Sequence, residues 1–146
     1  MKNLARAPGP APQQIETATV ATKAAQIVTW LRRRRDPQRA PGVQQYFRHQ
    51  IVALGIDTPT LREFAAAQSK QLKFVWSLRE ATALCDRLLQ EPELEIRGIG
   101  ILILSAWRRE FDPGLTRRGR RWLETRLDNW ALVDSFSNSI LSPLLD

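Results

Sequence analysis

The sequence predicts an all-α protein, an α-solenoid of about seven helices stacked in pairs. Three observations carry that expectation. Apolar residues recur at three- and four-residue spacing along most of the chain, and no segment shows the strict alternation of a strand. The breaks between these runs are helix caps and Pro/Gly turns. Paired segments begin near positions 42, 77 and 115, a period of about 35 to 38 residues.

The elements follow in order. Met1 to Ile15, with Pro8, Pro10 and Pro12, reads as a disordered tail preceding a domain over residues 16–146. A first helix is expected from about Thr17 to Arg35, with Val20, Ala24, Ile27, Val28 and Leu31 on one face and Asp36-Pro37 ending it. After Pro41-Gly42, a second is expected with Val43, Tyr46, Phe47, Ile51 and Leu54 inward. In the break at Gly55-Ile56-Asp57-Thr58-Pro59, Gly55 suits a left-handed helix end, Thr58 an N-cap and Pro59 a first helical position. The third helix then carries Leu61, Phe64, Ala65, Gln68 and Leu72. Ser77-Leu78-Arg79-Glu80 is a capping box opening the fourth, with Leu78, Ala81, Leu84, Cys85 and Leu88.

Glu91-Pro92-Glu93 places acids and a Pro where the helix dipole favours them, at the start of a fifth helix. The body of that segment, Ile96 to Leu104, is apolar all round apart from Arg97 and fits either a buried strand or a buried helix; the flanking helix signals and its length favour a helix at the centre of the core. Gly98 and Gly100 lack the third glycine of a dinucleotide loop and read as close-packing positions. Asp112-Pro113-Gly114 turns the chain into a sixth helix with Leu115, Trp122, Leu123 and Leu127 inward. The seventh holds Trp130 and Asp134 and is expected to end at Pro143. The spacing matches helical-repeat arrays such as HEAT and armadillo proteins, in which each pair buries its face on the next. No polar cap closes the last helix, so the array reads as unfinished, with Leu141, Leu144 and Leu145 available for self-association.

Composition narrows the function. With 146 residues, 43% of them hydrophobic, the chain can bury a real core. A single Cys, Cys85, and a single His, His49, exclude a disulfide framework and a Cys/His zinc cluster; neither metal nor cofactor is expected. Cys85 reads as a small buried hydrophobe and His49 as a surface imidazole. The apolar run from Ile99 to Trp107 is too short to span a bilayer, and the opening residues hold no secretory apolar region; no membrane partner is expected, and a cytoplasmic location is. The net charge of +7 is concentrated in two blocks. One is Arg32-Arg33-Arg34-Arg35; the other comprises Arg108, Arg109, Arg117, Arg118, Arg120 and Arg121. Such blocks fit either a solvated helix face or a polyanion, nucleic acid first, and guanidinium forks match phosphate oxygens.

Within Asp128-Asn129-Trp130-Ala131-Leu132-Val133-Asp134-Ser135-Phe136, helical spacing puts Trp130 and Asp134 one turn apart on the same face. The residues alone allow two readings. Trp on such a stripe is ordinary packing and Asp near a helix start a cap or dipole partner, or the pair is a site.

Three segments, in order, resemble one family, the bacterial DNA alkylation repair enzymes of the AlkD type. Tyr46-Phe47 followed by Leu54-Gly55-Ile56-Asp57-Thr58-Pro59-Thr60-Leu61-Arg62 resembles the family's early helix-turn-helix. Glu91-Pro92-Glu93-Leu94-Glu95 resembles its Pro-Glu-Arg-Glu helix, and Trp130-Ala131-Leu132-Val133-Asp134-Ser135 its Trp-x-x-Val-Asp segment. The resemblance spans about residues 20–142. It implies a HEAT-like solenoid whose basic concave face holds double-stranded, alkylated DNA in a bacterial nucleoid. It further implies a glycosylase releasing cationic N3- or N7-alkylated purines without drawing the base into a pocket, unlike most enzymes acting on bases. Trp130 aligns with the family's sugar-contacting Trp and Asp134 with its essential carboxylate. A cationic base leaves without a general acid, so the carboxylate's expected work is to stabilise an oxocarbenium-like sugar and guide water to C1′. Family members are longer, with later helix pairs supplying a second Trp and an Arg, so this chain resembles their N-terminal part; Ala131 stands where the family often has Asp. A non-catalytic DNA-binding scaffold and a protein-interaction solenoid stay open beside the enzyme.

Overall fold

A computed structural model describes the backbone of residues 12–145 and the side chains of residues 19–145. Residues 1–11 of the expected tail lie outside the described residues, and the first helix, α1 (Pro12–Arg33), begins earlier than Thr17. The chain continues through α2 (Ala40–Gln44), α3 (Thr58–Leu72), α4 (Leu78–Leu88), α5 (Leu94–Leu104), a 3-10 segment (Ser105–Glu110), α6 (Pro113–Thr125), α7 (Trp130–Phe136), a π-type segment (Ser137–Leu141) and α8 (Ser142–Leu145). Among the described residues there is no strand, only an isolated bridge between Val52 and Glu93. None of the described helices is long and apolar enough to cross a membrane. The protein is all-α, with the helical-repeat architecture expected.

The helices form two layers. α1 packs on α4, and α6 is tied to α4 where the Trp122 indole N–H donates to Asp86 at 2.8 Å. In the second layer α3 and α7 flank α5. The pairs across the layers are α1 with α3, α4 with α5, and α6 with α7. Trp30 stacks on Phe64 at 3.9 Å in the first pair, and Trp122 meets Phe136 edge-on at 6.1 Å in the third. α5 lies at the centre, as its apolar sequence requires: Ile96, Ile99, Ile101, Ile103 and Leu104 have no exposed surface. Gly100 lets α4 approach closely, since a Cβ there would lie 3.2 Å from Leu88 and 3.3 Å from Cys85. Cys85 is buried, and burial pushes its thiol well up.

The first pair departs from expectation. The second helix expected after Gly42 is only the short α2, and residues 45–57 run largely without helix. Long-range bonds claim the backbone groups that a helix would need. The Val52 carbonyl accepts from Leu94 N at 2.8 Å, the Leu54 carbonyl accepts from Asp36 N at 2.7 Å, and the buried Glu95 carboxylate accepts from Leu54 N and Gly55 N at 2.8 Å each. Four such bonds outweigh the weak local helix preference of this segment. Gly55 adopts φ 88°, as a left-handed position, but it seats this extended segment and not a helix end. α1 therefore replaces the segment from position 42 as the first member of the first pair.

Smaller corrections concern ends and faces. Asp57, not Thr58, caps α3, accepting from Thr60 N at 3.1 Å; its bonds to the Thr60 side chain and backbone hold its carboxyl below the usual range. The Ser77–Glu80 capping box is formed as expected, and Asp112 caps α6 by accepting from Leu115 N at 3.0 Å. Leu123 points outward, because Leu115, Gly119 and Trp122 already fill the inner stripe of α6. Pro143 does not end the last helical run: the π-type segment before it shifts the hydrogen-bond register, with Ser142 N donating to Ser137 O. Leu141 and Leu144 pack partly on the core, leaving Leu145 exposed.

Candidate functional site

α7 starts where Asn129, itself buried, caps it by accepting from Leu132 N at 3.0 Å. Leu132 and Phe136 anchor one side of the helix in the core, and Phe136 seats against Gly119 of α6. That anchoring turns the opposite side of α7 outward. Trp130 is 59% exposed and Asp134 is exposed. Both line one cavity of about 460 Å³. α3 contributes Thr58, Leu61 and Arg62 to its walls; α5 contributes Leu94, Gly98 and Leu102; Asn138 and Ser139 of the π-type segment complete one end. A Cβ at Gly98 would meet nothing within 4 Å, so this glycine opens the wall rather than packing a helix, contrary to expectation.

The two site residues are held differently. The Trp130 indole N–H donates to the Tyr46 carbonyl at 3.2 Å, and its ring stacks on Phe47 with centroids 5.3 Å apart and planes 24° from parallel. Phe47 in turn meets the exposed His49 edge-on at 6.3 Å. Periodicity placed Tyr46 and Phe47 in the core; instead Tyr46 is 70% exposed and Phe47 half-buried, forming a rim for Trp130. The Asp134 carboxylate has no hydrogen bond or ion pair with the described residues. It is an anionic group on an open wall, free to face a ligand.

The basic residues divide. Arg108 lines a second groove together with Lys70, Lys73 and Arg62, and this groove meets the Trp130–Asp134 cavity at Arg62 and Leu102. Lys73 is occupied by the Ala106 carbonyl at 2.8 Å and Glu110 at 3.6 Å. Arg109 is exposed on the 3-10 segment, and Arg117, Arg120 and Arg121 are exposed on α6. Arg118 lies 3.6 Å from Asp86 in a pocket between α1, α4 and α6 that shares no lining residue with the Trp130–Asp134 cavity. In the other block, Arg32 binds Glu93 at 2.6 Å and Glu91 at 2.9 Å, and Arg34 lies over the Trp30 ring at 3.6 Å. The Glu93 bond raises the Arg32 pKa further. Arg62, the cation bordering both cavities, belongs to neither block; its place in the segment that resembles the family's early helix-turn-helix was the signal for it. Among the described residues no group of three or more His, Cys, Asp or Glu could hold a metal ion.

Stacked helix pairs with a basic groove and an open acid define a helical-repeat protein built around a surface trough. The family model for the DNA alkylation repair enzyme matches residues 27–146. The chain belongs to that family. Membership implies DNA as its partner and supports an enzymatic role. No curated protein and no solved structure matches the chain.

Proposed function

We propose that the chain acts on alkylated duplex DNA as a glycosylase, hydrolysing the N-glycosidic bond of cationic N3- or N7-alkylated purines. The observation that carries this reading is the shared outlook of Trp130 and Asp134, an aromatic face and an unpaired carboxylate on one open wall. As the cationic base departs, positive charge develops on the sugar. A carboxylate about 4 Å away, at an effective dielectric near 20, stabilises that charge by on the order of 4 kcal/mol, a rate factor of roughly a thousand. The exposed face of Trp130 adds about 1 to 2 kcal/mol against a cationic nucleotide. Arg62 and Arg108 line the adjoining groove, and in this reading their guanidinium groups meet strand phosphates.

The test is release of 7-methylguanine from methylated duplex DNA by the wild-type chain and by Asp134→Asn. Release that falls about a thousandfold in the variant supports the reading. Equal release by the two proteins removes Asp134 from the chemistry. A second reading, a non-catalytic DNA-binding scaffold, draws on the exposure of Arg109, Arg117, Arg120 and Arg121 away from the cavity lining. It predicts salt-sensitive DNA retention, with a log–log slope of about −0.9 per phosphate neutralised, and no base release.

A further inference from the structure

Arg97 interrupts the apolar body of α5 and is 8% exposed. Its guanidinium has five N–H donors. Nη1 donates to Asp128 Oδ1 at 3.0 Å, while the buried Nε has no acceptor among the described residues. Withdrawing a guanidinium from water with donors unspent is unfavourable unless acceptor oxygens arrive from elsewhere. Arg97 lines a cavity of about 340 Å³, with Arg126, His49, Asn129, Thr125 and Gln90 around it. This cavity neighbours the Trp130–Asp134 cavity, and the two linings share only Leu94.

Two carboxylates also border it. Glu91 is bound by Arg32 at 2.9 Å. The Asp128 side chain is 71% exposed and holds Arg97 through one oxygen, so rotation into solvent frees Nη1 of the guanidinium. A tetrahedral oxyanion matches the guanidinium fork with two parallel bonds, which Asp128 does not provide. We propose that this cavity is an oxyanion site that takes a phosphate group on Arg97, with Asp128 as the competing internal anion. The phosphate comes either from free phosphate or from the phosphodiester backbone of a DNA strand.

The Nε–H resonance of Arg97 in a ¹H–¹⁵N spectrum, assigned by its loss in R97K, reads the site directly. Sodium phosphate added at constant ionic strength shifts that resonance saturably, and chloride does not. In Asp128→Asn the apparent Kd for phosphate falls, by up to about fivefold for loss of one like charge at a partly solvated position. Undamaged duplex DNA that produces the same shift identifies the strand backbone as the source; a shift with phosphate alone identifies free phosphate. No shift with either, or phosphate binding no tighter in Asp128→Asn, overturns the proposal. Asp128 is largely exposed, so its variant keeps the core intact.

Discussion

The indole N–H of Trp130 donates to the carbonyl of Tyr46 across 84 positions of sequence, and the neighbouring Phe47 lies stacked against the same indole. One face and one edge of Trp130 are therefore fixed by the segment after α2, leaving the other face exposed. A stacked aromatic pair is worth about 0.5 to 1.5 kcal/mol beyond its burial. Phe47→Ala is expected to weaken binding of methylated duplex DNA about two- to tenfold, and Phe47→Leu less. Acrylamide quenching of the Trp130 emission, isolated by subtracting Trp130→Phe, should rise in Phe47→Ala. Unchanged affinity and quenching in a folded variant would show that Trp130 needs no support from Phe47.

Asp134 makes the opposite kind of prediction, because its carboxylate supports nothing in the fold. Asp134→Asn should leave thermal stability unchanged and removes a negative charge beside a groove carrying Arg62 and Arg108. DNA affinity should hold or improve by up to about fivefold, while single-turnover release of 7-methylguanine collapses. Parallel loss of affinity and release would assign Asp134 to binding instead of chemistry.

What could be read from the sequence follows the range of the forces involved. α4 and α6 were legible because their caps, Ser77 with Glu80 and Asp112, act within one turn. α5 was legible because a run from Ile96 to Leu104 has no solvent-facing solution. The segment from Gln45 to Asp57 was not, since its conformation depends on Glu95 and Leu94, about 40 residues away. The outward stance of Trp130 and Asp134 was allowed by their spacing but not required by it; Leu132, Phe136 and Gly119 settle which side of α7 faces the core. Arg97 gave no signal beyond being a charge in an apolar helix, and the cavity it borders is assembled from segments distant in sequence.

The Arg32–Glu93 pair joins α1 to the start of α5 and gives stability a pH dependence. Burial pulls the Glu93 carboxyl up, but the Arg32 hydrogen bond, its own backbone N–H and the Arg32 charge together outweigh this, so its pKa is lowered. A group whose pKa is lower in the folded state binds more protons when unfolded. Its contribution is therefore full above the unfolded value, about 4.5, and is lost as pH falls through the folded value. Wild-type Tm should drop as pH is lowered from 6 to 3, and Arg32→Gln should show a shallower drop from a lower starting point. Parallel curves for the two proteins would mean the pair contributes nothing to the acid response.

Gly119 on α6 decides how closely α7 can sit, and with it the position of the whole candidate site. A Cβ at this position would fall 2.8 Å from Cζ of Phe136, whose ring is fully buried and also packed edge-on against Trp122. The ring cannot swing away without opening the core, so α7 must move instead. Overpacking of this kind costs about 1 to 3 kcal/mol, against a gain of up to about 1 kcal/mol from replacing Gly within a helix. Gly119→Ala should therefore lower Tm by several degrees. Because Trp130 and Asp134 ride on the displaced helix, base release should fall more steeply than stability alone explains, measured at a temperature where the variant is fully folded. Phe136→Leu in the Gly119→Ala background removes the clashing ring atoms and should restore part of the release. Loss of Tm without any change in release at that temperature would show that the α6–α7 contact holds the fold but does not set the site.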